Sequence, residues 1–479
     1  MDTIAPTSLR QSLLRNRRNL ALPVIAGIAA VGMATSTSAQ TSTQTSAPPS
    51  VVNDQKPAPA AVSNPTAPSG AATLPTNAAA AAATAPTAPP GPAPAVFSSD
   101  WVGGIKYGLQ VEGGITVNTL SPDNNRNFGE LFTDLSNRPI LNGLTATVSR
   151  DVDPKATTTD YGFKLQALYG SDARIIHTLG VFDQLIHDRN QLDIVEADVS
   201  VHIPSLFANG LDIKAGIYPT PLGVEVIDPK ANPFYSHSYI FNYGLPYKHT
   251  GALATAHVSD LVDLYLGVDT GTNTFLAYGA GDNNNRPGGI AGVGLNFMDG
   301  KLTVLALTHM GPEDSKRNTP FGNSAMRYYN DVAIVWKTTD KLTLTAEVNY
   351  VKEDGFRAEG YGAAGYASYA LSDSLTLNGR AEIWRDNTNF FVSTPANYLD
   401  YVAAERGTPA NLITAAAPTT YSEATIGVTY KIPGLPEKLT TAMFRPEIRY
   451  DRSLNGTTPF GDGKHQGRFT FAADLVLGF

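Results

Sequence analysis

The chain has no cysteine among its 479 residues, only three tryptophans, and 16% charged residues. Without thiols it holds neither a disulfide framework nor a Cys-based zinc or redox centre. It also lacks the repeated apolar runs of about 20 residues from which helical membrane proteins are built. An excess of positive charge is missing too: the formal net charge is −8, so nucleic acid is not expected as a partner. What is plentiful is Gly (43), Pro (33), Tyr (21) and Phe (19), the mixture expected where many short strands meet long polar loops.

Arg10, Arg15, Arg17 and Arg18 precede the apolar stretch Leu20 to Ala34, which ends in Thr37-Ser38-Ala39. A basic start, a short apolar run and small residues make residues 1–39 a signal peptide, cleaved before Gln40. A membrane anchor is the alternative, but the run is short for a span and carries Pro23. Residues 40–98 hold 12 of the 33 prolines and the run Ala78 to Ala83, with Asp54 and Lys56 as their only charges. Such a segment buries too little apolar surface to offset the entropy of ordering, so a disordered periplasmic spacer is expected.

From residue 99 to 479 the pattern has a period of two. Ile105, Tyr107, Leu109, Val111, Ile115 and Val117 alternate with Lys106, Gln110, Glu112 and Thr116; Val195, Ala197, Val199, Val201 and Ile203 alternate with Glu196, Asp198, Ser200 and His202. A strand points successive side chains to opposite faces, so each segment has one apolar and one polar face. Sixteen such segments are centred near residues 111, 145, 165, 198, 213, 254, 265, 294, 305, 332, 345, 367, 380, 427, 447 and 474. Pro446 falls inside one of them and predicts a bulge.

The connections run broadly long and short in turn, with tight turns such as Ser259-Asp260 and Met298 to Lys301 and long polar loops such as Pro219 to His249 and Asp386 to Thr420. That rhythm predicts an all-β, transmembrane, antiparallel up-and-down barrel of about 16 strands in the outer membrane of a Gram-negative bacterium, short turns in the periplasm. Phe469, Phe471, Ala473, Leu475, Leu477 and Phe479 alternate to the last residue. The terminal Phe479 resembles the assembly signal of outer-membrane proteins, which implies the barrel assembly machinery and outer-membrane lipid as partners. Aromatics at strand ends (Trp101, Tyr161, Tyr169, Phe297, Trp336, Tyr350, Tyr430, Tyr450) suit interfacial girdles.

Gly216-Ile217-Tyr218-Pro219-Thr220-Pro221-Leu222-Gly223, Asn232-Pro233-Phe234-Tyr235-Ser236-His237-Ser238-Tyr239, Asn242-Tyr243-Gly244 and His249-Thr250-Gly251 resemble the outer-membrane β-barrel porin family of the OmpL-like type. The resemblance implies a pore and little about its solute. Sixteen strands leave an aqueous lumen, so passive diffusion of small hydrophilic solutes is the expected function. A structural or adhesive barrel with a closed lumen, and a substrate-specific channel, are the alternatives.

The loop 219–249 carries Glu225, Asp228, Lys230, His237 and Lys248 among Phe234, Tyr235, Tyr239, Phe241, Tyr243 and Tyr247. So many aromatics imply packing against a surface. In sixteen-stranded general porins the third loop folds inward; that resemblance assigns this loop a constricting role, with an external self-packed loop as the alternative. Arg380, Glu382, Arg445, Glu447, Arg449 and Asp451 on the opposite wall offer either a transverse field across the narrowest point or internal pairing, Arg445 with Glu447 for instance. The constriction candidates are therefore Glu225, Asp228, Lys230, His237, Arg380, Arg445 and Arg449. Lumen-facing candidates are Lys106, Glu112, Lys164, Glu196, Asp198, Asp212, Lys214, Glu347, Glu382, Glu447 and Asp474, whose acid excess predicts mild cation preference. The eight His are dispersed and no nucleophile context is legible, so no enzyme activity, cofactor or metal is expected. A homotrimer is compatible with the size, but no interface is legible.

Overall fold

A computed structural model describes residues 102–479 apart from 186, 277–283 and 318–323. The signal peptide, the spacer and Trp101 lie outside the described residues. The strands are Lys106–Asn118 (β1), Pro139–Arg150 (β2), Asp160–Gly170 (β3), Gln191–Ile203 (β4), Leu211–Pro219 (β5), Lys248–His257 (β6), Val262–Thr272 (β7), Gly288–Phe297 (β8), Leu302–Pro312 (β9), Met326–Lys337 (β10), Leu342–Glu353 (β11), Ala358–Ala370 (β12), Leu375–Asp386 (β13), Ser393–Pro395 (β14), Leu412–Thr414 (β15), Thr419–Lys431 (β16), Thr441–Ser453 (β17) and Gly467–Gly478 (β18). All but β14 and β15 form one closed antiparallel barrel in which β1 pairs with both β2 and β18. The 16 barrel strands coincide with the 16 segments of alternating sequence. Strands β14 and β15 form a separate hairpin within the connection from β13 to β16, beside the short helix Asp400–Glu405 (α1).

Closure leaves no strand edge, which is the only way a sheet can satisfy its backbone inside hydrocarbon. Phe479 completes it: its N–H donates to the Leu109 carbonyl at 2.8 Å. The alternation sorts the two faces. Val199, Leu266, Val348, Ile426 and Phe471 are exposed on the outside, while Glu196, Asp331, Glu347, Arg445 and Asp474 are buried on the inside. Val348→Arg, at mid-strand on the outer face, is expected to destabilise the barrel by about 2–4 kcal/mol. Thr345→Arg, on the inner parity of the same strand, is expected to cost much less; urea unfolding in liposomes checks the pair.

Three details differ from the sequence pattern. Pro446 makes no bulge: the registers of β17 against β16 and β18 run unshifted past it, and the β16 ladder merely pauses between Gly427↔Glu447 and Tyr430↔Phe444. Proline removes one donor, and a gap in the ladder absorbs that loss without an extra residue. Val195 does not share the outer face with Val199. A register shift between Gln166 and Ala167 leaves it unpaired in β4 and turns it inward, 2% exposed. Lastly, the connection 354–357 is a tight turn although it lies at the rim of the long loops.

Candidate functional site: a loop across the lumen

The chain leaves the wall at Pro219-Thr220-Pro221, where two prolines end the ladder. Asn232 then closes a small ring, its side chain bonding both the N–H (2.9 Å) and the carbonyl (2.6 Å) of Val226. Asp228 and Lys230 sit at the tip of this ring, part exposed. Beyond Pro233, Ser238 Oγ accepts from the Phe241 N–H at 3.0 Å and starts a single π-type turn, Ile240–Gly244. Phe234, Tyr235, Tyr239, Phe241, Tyr243 and Tyr247 are all at most 2% exposed, so the loop's aromatics are packed inside the barrel rather than projecting from it. Tyr239 stacks on Tyr421 of β16 with centroids 4.9 Å apart, and Phe132 from the connection 119–138 packs on His237, Phe241 and Tyr247. Gly114 of β1 admits Tyr235: a Cβ there would lie 2.6 Å from its ring.

The wall holds the loop chiefly by its backbone. Glu447 accepts from the N–H groups of Tyr235 (2.8 Å) and Ser236 (3.2 Å); Glu382 accepts from those of Tyr239 (2.6 Å) and Ile240 (2.8 Å); Glu347 accepts from that of Val224 (3.0 Å). Cations and amides take the carbonyls. Arg445 donates to Pro229 O (2.6 Å) and Asn232 O (2.9 Å), Arg449 to His237 O (2.6 Å), Arg380 to Ser236 O (2.8 Å), Asn378 to Pro233 O and Asn349 to Gly244 O. Charge-assisted bonds of this kind are the stronger class, and they serve the backbone groups that the loop's own bonds leave unpaired.

The mixed signs on β13 and β17 pair in part along the wall, Arg449 with Asp451 for instance, and in part grip the loop. Arg445 does not pair with Glu447; it binds Asp474 (3.0 Å) and Glu112 (3.2 Å), while Glu447 faces the loop. Glu225 of the loop pairs with Arg380 of the wall at 2.8 Å, with Glu423 on the guanidinium's far side at 2.5 Å, and Lys248 at the loop's end pairs with Asp193 of β4. His237 Nδ1 donates to Glu225 at 2.6 Å, and its ring stacks on Phe241 at 3.9 Å. Burial pushes the Glu225 carboxyl up, but Arg380 and His237 more than offset this and hold it at about 2. Burial dominates at His237 and pushes its imidazole below the ordinary range.

Other predicted residues lie apart from the loop. Glu196 sits between Lys164 (2.6 Å) and Lys214 (2.8 Å), beside the buried Asp198. Asp212 bridges His202 and His257, and Lys106 pairs with Asp151, well exposed. On the loop itself, Asp228 accepts from Gln110 of β1 at 3.2 Å. Asn349 and Asn378, which the sequence reading passed over, could have been found: both occupy the polar parity next to residues it named. Arg468, which holds Asp451 and Glu130 together, lies on the same parity as Asp474. Asn142 could not. It reaches Tyr235 Oη (2.8 Å) only because a bulge in β2 turns it inward.

Comparison with solved structures finds DcaP, an outer-membrane channel of Acinetobacter baumannii, at 13% identity and a TM-score of 0.47, over 78% of this chain and 97% of that one. An anion-selective porin from Comamonas acidovorans aligns at 8% identity and 0.48, over 78% and 99%, and OmpF of Salmonella typhi at 10% and 0.47, over 78% and 97%. A search of curated proteins gave no match. A family model matches residues 104–479, and the chain belongs to the family described as Putative beta-barrel porin-2, OmpL-like.

Proposed function

We propose that this porin-family barrel lets small hydrophilic solutes and ions diffuse across the outer membrane, with the loop 219–249 as its constriction. The observation that carries this reading is the backbone cradle: a polar wall of β11, β13 and β17 fixes the loop across the barrel interior instead of leaving it outside. A rigid obstacle bonded to the wall defines a fixed aperture, and the groups around it set which ions pass. The acid excess along the inner parity supports mild cation preference. The spacer 40–98 sits in the periplasm in this reading, assembly proceeds through the C-terminal strand, and no catalysis is assigned to the chain.

A second reading, a structural or adhesive barrel, draws on one specific observation. Glu112, Glu347, Arg380, Arg445 and Glu447 are each less than 10% exposed, so loop and wall cover one another closely. Purified protein in planar bilayers decides between the two. Stable conductance steps, with a reversal potential of cationic sign under a KCl gradient, support the diffusion channel; electrical silence supports the closed barrel. Steps with an anionic reversal potential keep the channel and reject the cation preference. Cross-linking in native membranes tests for a trimer.

A further inference from the structure

At the long-loop rim, away from the loop cradle, His249 of β6, Asp269 of β7 and His309 of β9 converge on the inner wall. Each is at most 3% exposed. Asp269 stands between the rings, Oδ2 3.1 Å from His249 Nδ1 and Oδ1 3.1 Å from His309 Nε2, and the ring centroids are 4.7 Å apart. One donor atom from each of the three lies within 4.8 Å of the others. A register shift between His249 and Gly251 helps bring two neighbouring strands to this geometry.

Two further observations point to a ligand. His249 Nδ1 is met only by Asp269 Oδ2, while His249 Nε2 and His309 Nδ1 make no hydrogen bond. Buried polar atoms are normally bonded, so a fully buried imidazole with its Nε2 unsatisfied calls for a partner. The backbone packed against the cluster is also a glycine. Gly288 of β8 faces the cluster, and a Cβ there would lie 2.6 Å from Asp269 Oδ1 and 2.8 Å from His309 Nε2.

We propose that His249, Asp269 and His309 bind one divalent transition-metal ion of the zinc class. Two imidazole nitrogens and a carboxylate oxygen form a donor set suited to Zn²⁺, whose bonds of about 2.0–2.2 Å set ligand atoms roughly 3.3 Å apart in a tetrahedron. The two 3.1 Å approaches use different oxygens of Asp269, and the three donor atoms lie within 4.8 Å of one another, so the side chains close in by up to about 1.5 Å on a bound ion. Glu313 stands 3.8 Å from His309 Nδ1, on the far side from Asp269, where a carboxylate orients a metal-bound imidazole. The ion would tie together the roots of three connections, because β6, β7 and β9 each meet a long loop at this rim.

The full-length, tag-free protein, stripped with chelator and then titrated with Zn²⁺ against a chromophoric competitor, tests this. About one equivalent is expected to bind. His309→Ala and Asp269→Asn are expected to weaken binding at least tenfold, and Gly288→Ala to weaken it by crowding while keeping every ligand. Co²⁺ in place of Zn²⁺ is expected to give visible bands of tetrahedral intensity that the variants lose. Heat-modifiable gel migration reports folding of each variant. Wild-type protein that takes up no more Zn²⁺ than the variants, or folded variants that bind as tightly as wild type, would overturn the proposal; the three residues would then be a buried charge cluster.

Discussion

Replacing residues 224–245 with a short Gly/Ser bridge is expected to raise single-channel conductance roughly threefold or more, because current scales with the free cross-section at the narrowest point. The barrel itself should survive. Its ladders close without the loop, and the groups set free, among them Glu382, Glu447, Arg380 and Arg445, would face water instead of buried backbone. Far-UV circular dichroism should keep its strand signal while conductance rises. If conductance stays at the wild-type level in a folded barrel, the loop is not the constriction, and the connections 119–138 and 387–418 become the next candidates. Phe128, Phe132, Phe391 and Tyr401 bury themselves from those segments.

Arg380→Met is expected to weaken loop docking by about 3–5 kcal/mol, the cost of breaking a buried ion pair by removing one partner. The guanidinium touches Glu225, Glu423 and the Ser236 carbonyl at once, so its loss leaves two buried carboxylates facing each other. The double variant Arg380→Met, Glu225→Gln should recover part of the loss, since one of those charges is then gone. Two readouts apply: protease cleavage within 220–247 and excess noise in the open-channel current. Equal protection of wild type and Arg380→Met would mean that the backbone bonds from Glu382 and Glu447 suffice alone.

The same pair sets the expected pH response. Glu225 is held at about 2 and His237 is also depressed. A group whose value falls on folding contributes stability above its ordinary range and loses that contribution as pH drops through its folded one. Docking should therefore be strongest at neutral pH and above. It should weaken below about 6.5 as His237 takes up a proton in the undocked loop, and weaken further between about 4.5 and 2 as Glu225 does so there. Noise that instead grows on raising the pH from 7 to 9 would contradict this sign.

The strands were legible because lipid and water impose opposite demands on alternate side chains, and that leaves a two-residue period in most segments from Lys106 to Gly478, weakest in β9, which is apolar on both parities, and in the Gly/Ala-rich β12. The aromatic run from Phe234 to Tyr247 likewise showed that this loop packs on something. What the charges on β13 and β17 do was not legible. Parity places Glu382 and Glu447 on the inner face, yet nothing in their spacing says that they grip peptide N–H groups more than two hundred residues away in the case of Glu447. Bulges were equally hidden: one extra residue turns Asn142 and Val195 inward against the pattern around them. His249, Asp269 and His309 stand 20 to 60 positions apart, and only the closed ladder of β6 to β9 makes neighbours of them.

The cradle also constrains the order of events during biogenesis. Its strongest grips come from β17 at the end of the polypeptide, and Tyr235 meets Glu447 across 212 positions of sequence. Arg468 reaches Glu130 across 338. Contacts of such long range form late, because chain-closure entropy must be met before they return any stabilisation. A nascent barrel missing its last two hairpin strands would thus carry an undocked loop and a ring of uncompensated carboxylates. Seating of the loop accordingly waits for β17, whereas closure of the ladder does not wait for the loop.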